Sequence, residues 1–491
     1  MSKSSFRVCF LIIMTVFICA CAPKEPSSAV SSQEWIAKNF QVDDCLPGYI
    51  RARLYIAWDE EKSALSNALR SGASVGKPTA LYNAQSFTNN LLEAAAACQE
   101  LGLLSELSAY ISIPFEYLKV HDGIRTWADE DGNVVNTLSR SQFLFLVSRA
   151  VNIISSLPVS VRTEAMDVLL ETAPKVAYAH YKSWIIDRPS FQVTGWGCHG
   201  HDEDAVKRDG RSYFNHHDFL KYKRAEELTA DANEPRFCNA ITDVDMWIVA
   251  GLVELLASHD QSVKIFEISD RDRKALDAYL STAVIAIREG LTKTRVKDFK
   301  GDAVAGIVFE PGIWNEHPEN AYTAYSGTSY PTDKEKGTVP DVSWDISHAR
   351  RFVHVFAALR RNMGMTAGHF PGDEIMRRFA NQYSYRVFNR NFAHPLFSNF
   401  FDGTNGWYRV GYAGREKFGY GPYKLSNAAV TGGFGFWKKY NSDVEKINKA
   451  LWKMLRSNNP SVKKFVEKYY HSTDGARNLA LIQFLPVFVK N

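Results

Sequence analysis

Asp345 and His348 stand three residues apart, where a polar loop beginning at Pro340 and including Trp344 runs into an apolar-striped helix. Asp345 suits the N-cap, because its carboxylate can accept the free N–H groups of the first turn. His348 leads the stripe Phe352, Val355 and Leu359 at i+4, i+7 and i+11, at the N-terminal mouth of the helix's apolar face. The dipole at a helix start opposes positive charge and favours the neutral imidazole. A neutral imidazole at a cavity mouth can act as a general base. The alternative is a core histidine that satisfies a cap.

Three other clusters carry similar chemistry. One is the loop Glu310-Pro311-Gly312-Ile313-Trp314-Asn315-Glu316-His317, with Tyr322 and Tyr325 after it. Another is Trp407, Tyr408, Arg409 and Tyr412, and the last is Asn239, Asp243 and Asp245. All fall at helix starts or in the loops before them. Elimination at an acidic sugar needs a group that neutralises the carboxylate, a base at C5 and an acid at the leaving oxygen. Arg409 or Arg351 can bind the carboxylate, His348 can be the base, and Tyr322, Tyr325 or Tyr408 the acid. Glycoside hydrolysis needs two carboxyls flanking the bond, for which Asp345, Asp245, Glu310 and Glu316 are the candidates. Trp314, Trp344 and Trp407 offer faces that suit sugar rings. His199-Gly200-His201-Asp202 and His216-His217-Asp218 lack a metal-ligand spacing signature. No nucleotide fingerprint or nucleophile elbow stands out, so neither metal nor cofactor is expected.

The elements that must position these residues are helices. Apolar stripes run from Leu46 to Arg70, Ala84 to Leu101, Leu104 to Val120, Leu138 to Ser155 and Ser160 to Ile186. They resume at Asp243 to Ser258, Asp270 to Leu291, Asp373 to Asn391, Ser442 to Arg456, Ser461 to His471 and Gly475 to Val489. Asp245, Val249, Leu252 and Leu256 repeat the arithmetic of the His348 stripe, which reads as a weak repeat of one helical unit and aims Asp245 and His348 at one space. Residues 295–310 look short-stranded, and 399–435 is a Gly- and aromatic-rich irregular stretch. There is no βαβ alternation and no sandwich spacing.

Composition and termini bound the rest. A hydrophobic share of 45% and a charged share of 23% describe a folded protein, and a net charge of +4 with no basic aromatic-interleaved run argues against nucleic acid as partner. The N-terminus carries Lys3 and Arg7, then an apolar run from Cys9 to Cys19 too short for a confident membrane span. It ends Ile18-Cys19-Ala20-Cys21, which resembles a bacterial lipoprotein signal, with Cys21 as the lipidated residue. By that resemblance, Ala22 after the cysteine favours the outer membrane. The expected organisation is a signal peptide at 1–21, a Pro- and Ser-rich tether at 22–35, and one domain at 36–491. Cys45, Cys98, Cys198 and Cys238 then remain in an oxidising compartment, where Cys45–Cys98 and Cys198–Cys238 are the pairings nearest in sequence.

Helical hairpins of this number suit an all-α fold, an α/α toroid with short irregular or β-hairpin insertions. Trp344-Asp345-Ile346-Ser347-His348-Ala349, Gly406-Trp407-Tyr408-Arg409, Gly421-Pro422-Tyr423-Lys424-Leu425-Ser426 and Gly432-Gly433-Phe434 resemble extracytoplasmic bacterial α/α-toroid proteins, related in architecture to polysaccharide lyases and six-hairpin glycosidases. The resemblance spans residues 310–437 and bears on fold more than reaction. It implies a lipid-anchored envelope protein acting on a polysaccharide or oligosaccharide, by elimination at an acidic sugar or by hydrolysis. A non-catalytic glycan-binding or envelope-assembly lipoprotein is the rival. The expected site is His348, Asp345, Tyr322, Tyr325 and Tyr408 for catalysis, with Trp344, Arg351, Trp314, Trp407, Arg409 and Asp245 around the substrate.

Overall fold

The structure is a computed structural model that describes residues 45–187, 215–223, 236–261, 265–315, 317, 323–332, 339–366, 368–412, 415–470 and 477–490. Residues 1–44, with the expected signal peptide, Cys21 and the expected tether, the 199–202 motif, Cys198, the Cys238 side chain, Glu316 and Tyr322 lie outside the described residues.

The described residues are mostly helical. In chain order the helices are α1 (Gly48–Ser74), α2 (Pro78–Ala97), α3 (Leu101–Ser112), α4 (Thr137–Ser155), α5 (Glu164–Ile185), α6 (His216–Lys223), α7 (Asp243–Gln261), α8 (Asp270–Glu289), α9 (Ile346–Arg361), α10 (Asp373–Gln382), α11 (Asp443–Leu455), α12 (Pro460–Tyr470) and α13 (Arg477–Phe484). Two antiparallel hairpins interrupt them, β1 (Lys119–His121) with β2 (Ile124–Thr126), and β3 (Leu291–Lys297) with β4 (Ala303–Phe309). None of these helices is long and apolar enough to cross a membrane.

The stripes locate most helices, and the departures have local causes. The stripe ending at Val120 gives out at Ser112, because Pro114 enters a tight turn and Asp122-Gly123 then reverses the chain with φ of 48° and 78°. Positive φ at both central residues is the geometry of a two-residue hairpin loop. The helix expected to reach Asn391 is α-helical to Gln382 and continues as a π turn over Tyr383–Val387, after which Phe388 pairs with Phe397.

Helix α4 packs on α2 and α7, and α7 packs on α9. In α7 every residue from Asp245 to Ser258 is buried, and in α4 every residue from Ser139 to Ser155. Helices buried on all sides sit inside a fold. Around them α1 and α3 pack on α2, α5 packs on α3 and α4, and α8 packs on α5. Helix α13 returns to α1 and α2, and one apolar core runs from Leu46 to Val489. The Cys45–Cys98 disulfide joins the entry of α1 to the end of α2.

Polar contacts fix the direction of the inner helices. Near their C-terminal ends, Arg149 of α4 grips Glu93 of α2 with two bonds of 3.0 Å. Arg361 of α9 reaches Glu254 of α7 at 2.6 Å and Glu93 at 3.2 Å. Asn152 donates to the other Glu254 oxygen. Near their N-terminal ends, Tyr82 of α2 accepts from Arg350 and Arg351 of α9 at 3.0 Å each. Arg351 meets Asp243 of α7 at 3.4 Å, and Gln142 of α4 donates to Gln85 of α2 at 2.8 Å. Starts meet starts and ends meet ends, so α2, α4, α7 and α9 run parallel, with return helices outside them.

Glu254 is fully buried between two guanidiniums. Removing one partner of such a set leaves uncompensated buried charge and costs about 3–5 kcal/mol. Glu254→Ala should lower stability by that order in urea denaturation. A loss under about 1 kcal/mol, the level of an exposed pair, would show that the network does not hold these helices.

Candidate functional site

The site is built at the first turn of α9. Asp345 is the N-cap, with Oδ1 accepting from the Ser347 and His348 amides at 3.1 and 3.2 Å and from the Ser347 hydroxyl. Its other oxygen, Oδ2, lies 2.7 Å from His348 Nδ1. A carboxylate on Nδ1 holds the proton there and leaves the lone pair on Nε2. Asp345 has no exposed side-chain surface, whereas His348 keeps 17%, so the carboxylate is sealed behind a ring that remains accessible.

Tyr408 closes the inner side. Its hydroxyl is 3.2 Å from His348 Nδ1 and also hydrogen-bonds the Asp345 carboxylate. Trp314 stands edge-on to both rings, at 5.9 Å from His348 and 5.4 Å from Tyr408. Its indole N–H donates to the Ser343 carbonyl at 3.1 Å, which fixes it as a wall. Arg409, at a φ of 56°, lays its guanidinium over Tyr408 and Tyr412.

Irregular backbone brings Tyr408 and Arg409 to α9. Buried Asn399 donates to the Gly406 and Gly421 carbonyls at 2.8 Å each and accepts from Leu425 N. Its own carbonyl takes the Ile346 amide at 2.7 Å. Ala324 N donates to Trp407 O and Trp407 N to Tyr325 O, both at 2.8 Å. Only glycine fits at 406, where a Cβ would fall 2.0 Å from the Ala324 oxygen.

The electrostatics follow from burial and charge. Burial pushes the His348 imidazole down, and although Asp345 opposes this, Arg351 and Arg409 add to it. Burial works to raise the Asp345 carboxyl, but the His348 charge and hydrogen bonds hold it at about 2. Burial, then the Asp345 charge, pushes the Tyr408 phenol well up. His317 is pushed down to about 4 by burial, with Arg409 and His348 contributing. The pair is therefore a carboxylate and a neutral imidazole at neutral pH, a proton acceptor beside a fixed cation.

The other expected residues are placed differently. Asp245 is the N3 residue of α7 and reaches back to Thr242 N at 2.6 Å, the second half of a capping box. It also binds His216 at 2.8 Å and Lys223 at 2.5 Å, and His216 bonds Tyr279. Asp243, two residues earlier, is the α7 carboxylate that pairs with Arg351 of α9. Trp344 is 2% exposed and packs on Phe309 and Phe352 as core. Arg351 is buried against Asp243, Tyr82 and the Ser347 carbonyl. Trp407 gives its indole N–H to Gly327 O and braces the 323–330 loop that carries Tyr325. Glu310 accepts from Ile241 N.

Two features have no counterpart among the expected site residues. Burial would raise the Tyr82 phenol, yet Arg351 and Arg350 bring it down to about 8. Its partners lie 268 and 269 residues away, so no spacing could announce it. Asn89 bonds His354 Nδ1 at 2.8 Å inside the helix bundle. A polar Asn89-Asn90 pair beside the buried Leu91 and Leu92 was the available signal. Compared with known proteins, the chain matches no family model, no curated protein and no solved structure.

His354 supplies a pH test. Its ordinary value is 6.5, and burial first, then Arg350, Arg361 and Arg351, lower it to about 4 against the pull of Glu93. The unfolded chain binds this proton more tightly. The stability His354 gives by staying neutral is complete above pH 6.5 and is lost as the pH falls toward 4. At about 1.4 kcal/mol per pKa unit the loss is roughly 3 kcal/mol. The urea midpoint should fall between pH 7 and 4.5, and His354→Gln should flatten part of that slope. An equal slope in the variant would refute the assignment.

Proposed function

We propose that this is a lipid-anchored envelope protein whose domain is an α/α toroid that acts on an acidic polysaccharide or oligosaccharide by elimination. Four parallel inner helices with outer return helices support the toroid reading. The lipid-anchor reading rests on the sequence around Cys21, and the outer membrane on Ala22.

The observation that carries the reaction is the 2.7 Å Asp345–His348 contact, which leaves Nε2 free to accept a proton. In this reading Arg409 pairs with the uronate carboxylate and draws charge off C5 as its proton leaves. His348 Nε2 takes that proton, the C4–O bond breaks, and a C4–C5 double bond forms. The leaving oxygen needs one proton, and the imidazolium can return the one it took. Tyr408 is buried on the Nδ1 side, so its role is to hold the pair rather than to protonate the leaving group. Hydrolysis is less well served among the described carboxylates. Asp345 is committed to His348, Asp245 to His216 and Lys223, Glu310 to Ile241 N, and Asp243 to Arg351.

The test is a panel of acidic and neutral polysaccharides read by absorbance of the new double bond and by reducing ends. His348→Ala should cut kcat by about 10²–10⁴-fold with KM little changed, because proton transfer occurs only in the transition state. Arg409→Ala should raise KM for acidic substrates, and Arg409→Lys should restore it incompletely, since the planar fork is lost. Reducing ends without a double bond would move the assignment to hydrolysis. Binding with neither product would leave a glycan-binding lipoprotein.

A further inference from the structure

A second site stands apart from the His348 turn, in a groove between the start of α1, the end of α11 and the start of α13. Its volume is about 480 Å³, within the range of small-ligand pockets. Arg53, Arg456 and Arg477 line it, with Tyr49 and Trp452 as aromatic walls. Among the described residues none of the three guanidiniums pairs with a carboxylate, whereas most other arginines near carboxylates do. Tyr49 is 61% exposed, unusual for a tyrosine in a fold that buries most of its aromatic rings. Trp452 is half-buried, carries Arg456 over its ring at 5.9 Å, and has a shielded indole N–H with no partner among the described residues.

We propose that this groove is a non-catalytic binding site for an acidic oligosaccharide, a subsite that holds a polymer while a distant stretch of it occupies the His348 turn. The choice of ligand rests on the acidic-glycan reading of that turn. Three forks that pair with no carboxylate among the described residues supply bidentate donors for carboxylate or sulfate groups. Tyr49 and Trp452 supply flat apolar faces for the sugar rings between those groups. Concavity and aromatic lining favour a glycan over a lipid surface, which a convex lysine-rich face would suit better. No part of this set contacts Asp345, His348, Tyr408 or Arg409, so the two sites can be separated by mutation.

The test uses the full chain carrying His348→Ala, so that nothing is turned over. It is titrated calorimetrically with a pool of uronate tetrasaccharides (galacturonate, mannuronate–guluronate and glucuronate-containing), with maltotetraose as the neutral control and phosphatidylglycerol vesicles as the lipid control. Two saturable sites per chain are expected for the acidic pool. Adding Arg456→Ala and Arg477→Ala should remove one, or weaken it at least tenfold, and adding Arg409→Ala should remove the other. In the His348-containing protein, the Arg456/Arg477 double variant should keep its turnover on tetrasaccharides and raise KM for long polymer. Both arginines end at the surface, and an unchanged circular dichroism melt checks the fold, with Arg456→Lys/Arg477→Lys as a charge-keeping companion that should bind weakly. One site per chain, unaffected by the groove variants, would overturn the proposal. So would equal binding of maltotetraose, loss of vesicle binding in place of oligosaccharide binding, or no binding of any uronate oligosaccharide. Loss of the groove site alone leaves the reading of the His348 turn standing, whereas a groove that binds while Arg409→Ala changes nothing overturns that reading instead.

Discussion

Two carboxylates and two guanidiniums, paired around the fully buried Glu254, set the plan of this molecule. Glu93, Arg149, Glu254 and Arg361 come from four helices that are far apart in sequence. Buried charge is tolerated only when it is paired and hydrogen-bonded, and here the charges balance. Two alternating pairs need all four helix ends at one level. A helix turned end for end would withdraw its charge and strand its neighbours. The burial that would raise the Glu93 carboxyl is outweighed by Arg149 and Arg361, which hold it at about 2, so Glu93 stays ionised across the neutral range. Apolar packing supplies most of the favourable energy of such a core, but it is indifferent to helix direction. The ion pairs are not.

Parallel alignment has a consequence at the opposite end. It gathers the N-termini of α2, α7 and α9, where helix dipoles place partial positive charge. Arg350 and Arg351 add two full charges beside Tyr82. This is a poor place for an imidazolium and a good one for a neutral imidazole or for substrate anions. Burial is the first cause that pushes the His348 imidazole down, and the Arg351 and Arg409 charges add to it. Without the Asp345 carboxylate the ring would have no fixed tautomer, and with it Nδ1 keeps the proton while Nε2 carries the lone pair.

The stripes made the helices legible because burial imposes a 3.6-residue period, and Asp345 was legible as a cap because a capping carboxylate reads only its own next three residues. Cys45 and Cys98 paired as neighbours in sequence because they bracket one helical hairpin. Side-chain direction was less legible. Asp245 and His348 share the same stripe arithmetic, yet Asp245 folds back to cap α7 and to meet Lys223. Trp344 looked like a sugar platform because tryptophan in a polar loop suits that role, but the chain pairs Trp344 with Phe401 through their backbones and turns the ring inward. The Glu93 network and Tyr82 had no local trace, since each depends on partners brought together only by the finished fold.

Asp345 joins stability to chemistry in one side chain. One oxygen ends a helix and the other orients a base, so the tautomer of His348 is set by the same contact that starts α9. The irregular segment that delivers Tyr408 is secured to this point, with Asn399 accepting the Ile346 amide and Phe401 donating to Trp344. A shift of the cap would therefore move the imidazole, the tyrosine and Arg409 together, not one at a time. That coupling explains how residues on glycine-rich loops hold hydrogen-bond distances with no regular element of their own. Loop precision is borrowed from the first turn of a buried helix, and the parallel helices beneath it keep that turn in place.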